Sequence, residues 1–338
     1  MKPNLFEIAT KELSQDGFLT WLIRYADPEC QGENPAVFEC AQKFVRFLME
    51  KQDDFRIEKV RAYRQWNRID ILVEVNDDSV IIIEDKTVTG THSNQLQRYR
   101  EKVEEIFGGK TIYCIYLKTG NESVFDLSKN VEAYGYRVVG RGDILEILNS
   151  CKTSNDILTE FRENLQTIED KTKNCTQIES VCSSSYAVEG FFLELAEQLA
   201  ADPECGGSPE WGYVSNPKGG FLGLWYFWRQ AAEADGNWLY IQIENHFADG
   251  LHLYIRMDSR EKNAKTVESR HLRHYYRKVS EAASEFGLTV VKRSRFKGGG
   301  TGTVAEISGI FPQTGEIETD ILLSKLKQVQ ELIESIKK

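Results

Sequence analysis

Asp70, Glu84 and Lys86 are the residues of this chain whose types and spacing suggest chemistry. Val80 to Ile83 is an unbroken β-branched run, short enough for a strand and apolar at each position, which predicts a central strand covered on both faces. Glu84, Asp85 and Lys86 end that run, and the two-residue period of a strand puts Glu84 and Lys86 on one face and Asp85 on the other. Upstream, Arg68 to Val75 reads as a second strand, with Ile69, Ile71, Val73 and Val75 on one face and Asp70 on the other; Asn76 to Ser79 supplies the turn of a hairpin. The hairpin brings Asp70 beside Glu84 and Lys86. Clustered carboxylates repel and burial penalises each charge, so a divalent cation is the natural partner. Mg²⁺ takes oxygen ligands and commonly sits between one or two carboxylates and a phosphate. The lysine then either orients or deprotonates a water, or balances charge on the phosphate.

The elements that must position these groups follow from periodicity. Ser93 or Asn94 can cap a helix in which Leu96, Tyr99, Val103, Ile106 and Phe107 recur at helical spacing, and Gly108-Gly109 can end it. Gln95 and Tyr99, four apart, share a face of that helix. Residues 4–25 are amphipathic and are expected to split into two helices at Ser14; residues 35–51 form another helix. Residues 55–66 read as a first strand, 111–117 and 134–139 as later ones, and Asp143 caps a short helix over 144–148.

At these residues the chain resembles the PD-(D/E)XK nuclease superfamily, with Asp70, then Glu84-Asp85-Lys86 as the E-x-K element, then Gln95-Leu-Gln-Arg-Tyr99 as the Q-x-x-x-Y element of its RecB-like branch. The specificity lies in the three motifs occurring in order with the expected elements between them. Ile69 stands where the family has a proline. The resemblance implies an α/β fold, a restriction-endonuclease-like mixed sheet flanked by helices, and a Mg²⁺-dependent nuclease, with Mn²⁺ as a substitute ion, acting on nucleic acid and on DNA foremost. It implies that Asp70, Glu84 and the Asp85 carbonyl hold the metal, that Lys86 assists the attacking water, and that Gln95 and Tyr99 steady the lysine and the phosphate. An acidic residue of the first helices often reaches the metal in that branch; Glu12 is the expected one, with Glu7, Asp16 and Glu39 as alternatives. A place in prokaryotic defence is a family-level expectation. The alternative is a nuclease-fold module that binds nucleic acid or a protein partner without cleaving.

Composition narrows the rest. No stretch is long and apolar enough to span a membrane, and the first ten residues lack a basic, apolar, small-residue leader, which predicts a cytoplasmic protein with no membrane partner. Seven scattered cysteines without a C-x-x-C pair suggest neither a zinc site nor a disulfide framework. A net charge of −10 weighs against coating nucleic acid, so binding must come from local patches: Arg61, Arg64 and Arg68 before the hairpin, and Lys292, Arg293 and Arg295 ahead of Gly298 to Gly300. His246, His252, His271 and His274 read as surface histidines, and Trp225 to Trp228 as strand and core residues.

Three segments are expected: a nuclease-like domain over 1–150, a helical connector over 151–185, and an α+β domain over 186–338 that places substrate, a second copy of the chain or a protein partner. Echoes between the halves (Ala26-Asp-Pro-Glu-Cys30 and Ala201-Asp-Pro-Glu-Cys205; residues 95–103 and 271–279; residues 81–86 and 240–245) raise a degenerate repeat as one origin of the second domain. That domain reads as a helix over 188–200, strands over 221–229, 238–244 and 251–257, a helix over 267–286, strands over 288–293 and 302–307, and a terminal helix over 319–336.

Overall fold

The structure is a computed structural model describing residues 3–90, 94–216, 219–232, 236–247, 249–259 and 266–337. It divides into two compact units, residues 1–170 and 171–338. No described helix is long and apolar enough to cross a membrane.

In chain order the first unit comprises α1 (Leu5–Ile8), α2 (Glu12–Arg24), α3 (Pro35–Leu48), β1 (Val60–Trp66), β2 (Ile69–Val75), β3 (Ser79–Lys86), α4 (Gln95–Ile106), β4 (Thr111–Lys118), α5 (Val124–Asn130), β5 (Arg137–Gly140), α6 (Arg141–Ser150) and α7 (Asp156–Lys173). The sheet order is β1-β2-β3-β4-β5, antiparallel from β1 to β3 and parallel from β3 to β5. It is the mixed α/β sheet flanked by helices that the motifs led us to expect. The apolar run of β3 is explained by cover on both faces: Ile81 and Ile83 pack with α2, α3, α6 and α7, and Val80 and Ile82 pack with Leu96 and Val103 of α4.

Several local readings are corrected. The break in residues 4–25 falls at 9–11, not at Ser14, which lies inside α2; Asn4 is the side chain that caps α1. Asn67 and Arg68 both have positive φ (50° and 74°) and form the two-residue turn between Trp66 and Ile69, so Arg68 belongs to the turn and not to β2. Ile69 consequently packs on the α4 side with Leu72, while Ile71, Val73 and Val75 face the other way. β1 starts at Val60, five residues later than expected. Ser93 lies outside the described residues, and the Asn94 side chain makes no capping bond. Helix α7, expected as connector, places Leu158, Phe161 and Leu165 in the first core, with Phe161 stacked on Phe18 at 3.9 Å between ring centres. Cys40 and Cys151, expected as thiols, form a disulfide across 111 residues.

The second unit holds α8 (Ile178–Ser183), α9 (Ser185–Ala200), β6 (Glu210–Val214), β7 (Phe221–Gln230), β8 (Asn237–His246), β9 (Gly250–Ser259), α10 (Ser269–Ala282), β10 (Thr289–Val290), β11 (Thr301–Ser308) and α11 (Thr319–Ile336). Its sheet, β10-β11-β9-β8-β7-β6, is antiparallel throughout. Strand β8, which echoes β3 in sequence, therefore has antiparallel neighbours on both sides where β3 has one parallel neighbour. The two Asp-Pro-Glu-Cys segments do fold alike, each a short 3₁₀ turn capped by its aspartate. The strand expected over 288–293 stops at Val290, and β6 had no clear alternating signal.

Candidate active site

Ladder pairing between β2 and β3 ends at Ile71 and Ile83. Beyond it the Asp70 carboxylate takes over from the backbone: its Oδ2 accepts the Asp85 N–H at 3.0 Å. Glu84 and Lys86 emerge on the same side of the strand end, as the alternation requires. Lys86 Nζ stands 2.6 Å from Glu84 Oε1, 3.5 Å from Asp70 Oδ2 and 4.0 Å from Glu12 Oε2, and it donates to the Asp85 carbonyl at 3.0 Å. Glu84 is wholly buried.

Helix α4 supplies the next layer. The Gln95 amide donates to Glu84 Oε1 at 2.7 Å and to the Tyr99 hydroxyl at 3.1 Å, one helical turn further on. From the other side, Glu12 at the start of α2 accepts from the Thr89 hydroxyl at 2.8 Å. The loop carrying Thr89 is held by Lys118, in register with Lys86 on β4, which donates to the Thr89 carbonyl at 2.7 Å. Gly120 lets the two loops meet, since a Cβ there would lie 1.9 Å from the Thr87 carbonyl oxygen.

Behind the strand lie Gln15 and Gln65, which sequence reasoning missed, and Asp16, which it offered as an alternative to Glu12. The Asp85 side chain points to α2, where Gln15 donates to it at 2.6 Å and itself accepts from the Thr119 hydroxyl at 2.9 Å. Asp16 is buried beside it. Gln65, turned by a positive φ of 54°, donates to Asp16 at 3.0 Å and to Asp70 at 3.1 Å, bridging the two. A left-handed backbone residue inside a strand carries no period that a sequence could reveal. Glu7 and Glu39 are exposed on α1 and α3 and make no described contact with the cluster. Of the three arginines before the hairpin, Arg64 reaches the Leu13 carbonyl on α2 at 3.3 Å, Arg61 lies on the opposite face of β1, and Arg68 sits in the turn. Arg61 and Arg64 therefore do not share a face of β1.

The electrostatics follow from burial. Glu84 is pushed up from 4.5 to about 7 by loss of solvent and by Asp70, with Lys86 opposing. Asp16 is pushed up to about 6 by burial and by Asp70. Asp85, fully enclosed and facing Asp16, is raised well above the usual aspartate range. Burial alone would lower Lys86, but Glu84, Asp70 and Glu12 outweigh it and hold the ammonium charged.

The donor set suits a hard divalent cation in kind: Asp70, Glu84, Glu12 and the Asp85 carbonyl are all oxygens, and Glu84 Oε2 is buried without a hydrogen-bond partner among the described residues. Among the described residues no three His, Cys, Asp or Glu side chains converge closely enough to hold an ion by themselves. The ammonium of Lys86 stands among the carboxylates instead.

No curated protein and no solved structure matches the chain. A protein-family profile described as the PD-(D/E)XK nuclease superfamily matches residues 3–173, half of the chain, from the start of α1 to the end of α7. With the mixed sheet, the strand-end carboxylates and the lysine between them, this match establishes that the chain belongs to the PD-(D/E)XK nuclease superfamily.

Proposed function

We propose that the first unit hydrolyses phosphodiester bonds of nucleic acid, DNA foremost, with Mg²⁺ held by Asp70, Glu84 and the Asp85 carbonyl, and with Glu12 beside them. The observation that carries this reading is Lys86, an ammonium enclosed by three carboxylates at the end of β3. A bound divalent ion supplies Lewis-acid polarisation of the phosphate and a water of lowered pKa. Lys86 keeps its proton in this surrounding, which supports charge balance on the phosphate over deprotonation of a water as its role. Gln95 fixes Glu84 and is the positioning residue of α4; Tyr99 in turn accepts from Gln95. Asp85 contributes its main chain to the site and its side chain to α2.

The test is incubation of the purified chain with linear duplex, circular duplex and single-stranded DNA, and with RNA, in Mg²⁺, Mn²⁺ or EDTA, beside an Asp70→Ala preparation. Metal-dependent cleavage that Asp70→Ala lacks supports the reading. Equal activity in both preparations, or none in either, would leave the non-cleaving nucleic-acid or protein-binding module as the better account.

A further inference from the structure

The chain carries a net charge of −10, yet residues 267–300 hold eight Lys and Arg against three Glu. Helical spacing on α10 buries Leu272, Tyr275 and Val279 in the second core and leaves Arg270, Arg273 and Arg277 exposed on the opposite side. Arg270 pairs with Glu268. Arg273 and Arg277 find no ion-pair partner among the described residues, although two like charges one turn apart weaken a helix.

The segment after β10 is fastened along this helix at both ends. The Arg293 N–H donates to the Tyr276 hydroxyl at 3.1 Å, and the Phe296 ring lies 5.2 Å from the Tyr276 ring. Gly299 and Val267, just ahead of α10, exchange two backbone hydrogen bonds at 2.7 and 3.1 Å. Gly298 permits this approach, because a Cβ there would lie 2.2 Å from the Val267 carbonyl oxygen. Between the fastenings Lys292, Arg295 and Lys297 are exposed and likewise lack ion-pair partners among the described residues. Arg293 differs: its Nε donates to the Arg295 carbonyl at 2.9 Å and its guanidinium lies 5.7 Å from the Phe296 ring, so it braces the segment.

From this we infer that α10 and the segment 292–297 form a binding surface for the phosphate backbone of nucleic acid, reading neither base sequence nor metal. Five cations without an ion-pair partner among the described residues, on a fixed scaffold, match a polyanion of regular charge spacing. Tyr276 and Phe296 pack against each other, which leaves phosphate contact, not base stacking, as the mode of binding. This surface belongs wholly to the second unit and does not depend on the cleavage reading.

The test uses the full chain in EDTA and fluorescence anisotropy with two labelled duplexes of unrelated sequence over a series of salt concentrations. Wild type should bind both alike. Replacing Arg273, Arg277, Lys292, Arg295 and Lys297 with Gln should weaken binding and reduce the slope of log affinity against log salt by about one unit for each phosphate no longer neutralised. The Arg273→Lys/Arg277→Lys variant keeps the charges and should retain the slope. An unchanged slope in the five-site variant overturns the inference. So does binding that requires metal, or binding to phosphatidylserine vesicles with none to duplex. Cleavage is scored separately in Mg²⁺, so failure of one reading does not pass for failure of the other.

Discussion

The Lys86 ammonium lies 2.6 Å from Glu84 Oε1 while Glu84 Oε2, equally buried, has no hydrogen-bond partner among the described residues. One carboxylate thus has an oxygen bound to a cation of the protein and an oxygen left over. Removing Lys86 takes from Glu84 its nearest cation, whereas removing Glu84 leaves Lys86 still facing Asp70 and Glu12.

Asp70→Ala, Glu84→Ala and Lys86→Ala should each lower cleavage by about 100-fold or more, the scale of losing a group that meets developing charge. Circular dichroism should show all three folded. Titration calorimetry with Mn²⁺ should show binding abolished in the two acid variants and kept in Lys86→Ala, because an ammonium is not a ligand. Wild-type rates in any of the three would remove that residue from the site.

Asp85→Asn should behave differently from Glu84→Gln. The Asp85 carboxylate is turned to Gln15 and raised by burial and Asp16, and an asparagine oxygen can still accept from Gln15. Cleavage within a few-fold of wild type is expected for Asp85→Asn, against a loss of about 100-fold for Glu84→Gln. Parallel rate measurements decide it.

The raised acids set a pH dependence. Glu84 rises from 4.5 to about 7 and Asp16 from 3.8 to about 6 in the folded protein. A carboxyl whose folded pKa exceeds its unfolded value stabilises the fold below the unfolded value, and that contribution is lost as pH rises through the folded one. In EDTA, thermal stability should therefore fall between about pH 4 and pH 7 through these two groups, and Glu84→Gln should flatten the fall. A melting temperature that climbs over this window by the same amount in both proteins would contradict the assignment.

Residues 1–173 should fold alone, whereas residues 1–150 should not. The shorter fragment loses Leu158, Phe161 and Leu165 from the first core. Each such side chain contributes roughly 1.5–3 kcal/mol when buried, a large share of a domain's stability. Cooperative melting of the shorter fragment would show that α7 is dispensable.

Strong periods make the site legible in the sequence. The β3 run, the alternation of Glu84 and Lys86 and the Gln95–Tyr99 turn of helix each have one geometric solution, and the structure brings all four residues to one strand end. What stays hidden depends on contacts distant in sequence: Gln65 bridging Asp16 and Asp70, Gln15 beneath Asp85, Lys118 steadying Thr89. Ile69 departs from the expected face because a two-residue turn at Asn67-Arg68 shifts the strand start, and α7 resembles a connector because its apolar stripe is narrow in a polar helix.

The Cys40–Cys151 bond closes a covalent ring that contains every strand of the first sheet and, with them, Asp70, Glu84, Lys86, Gln95 and Tyr99. Cutting any one peptide bond between the two cysteines therefore leaves both pieces attached through sulfur. A protease nick between Lys86 and Gln95 would change the chain's migration on a gel only after reduction, and the ring persists in the unfolded chain, where it restricts how far these five residues can separate.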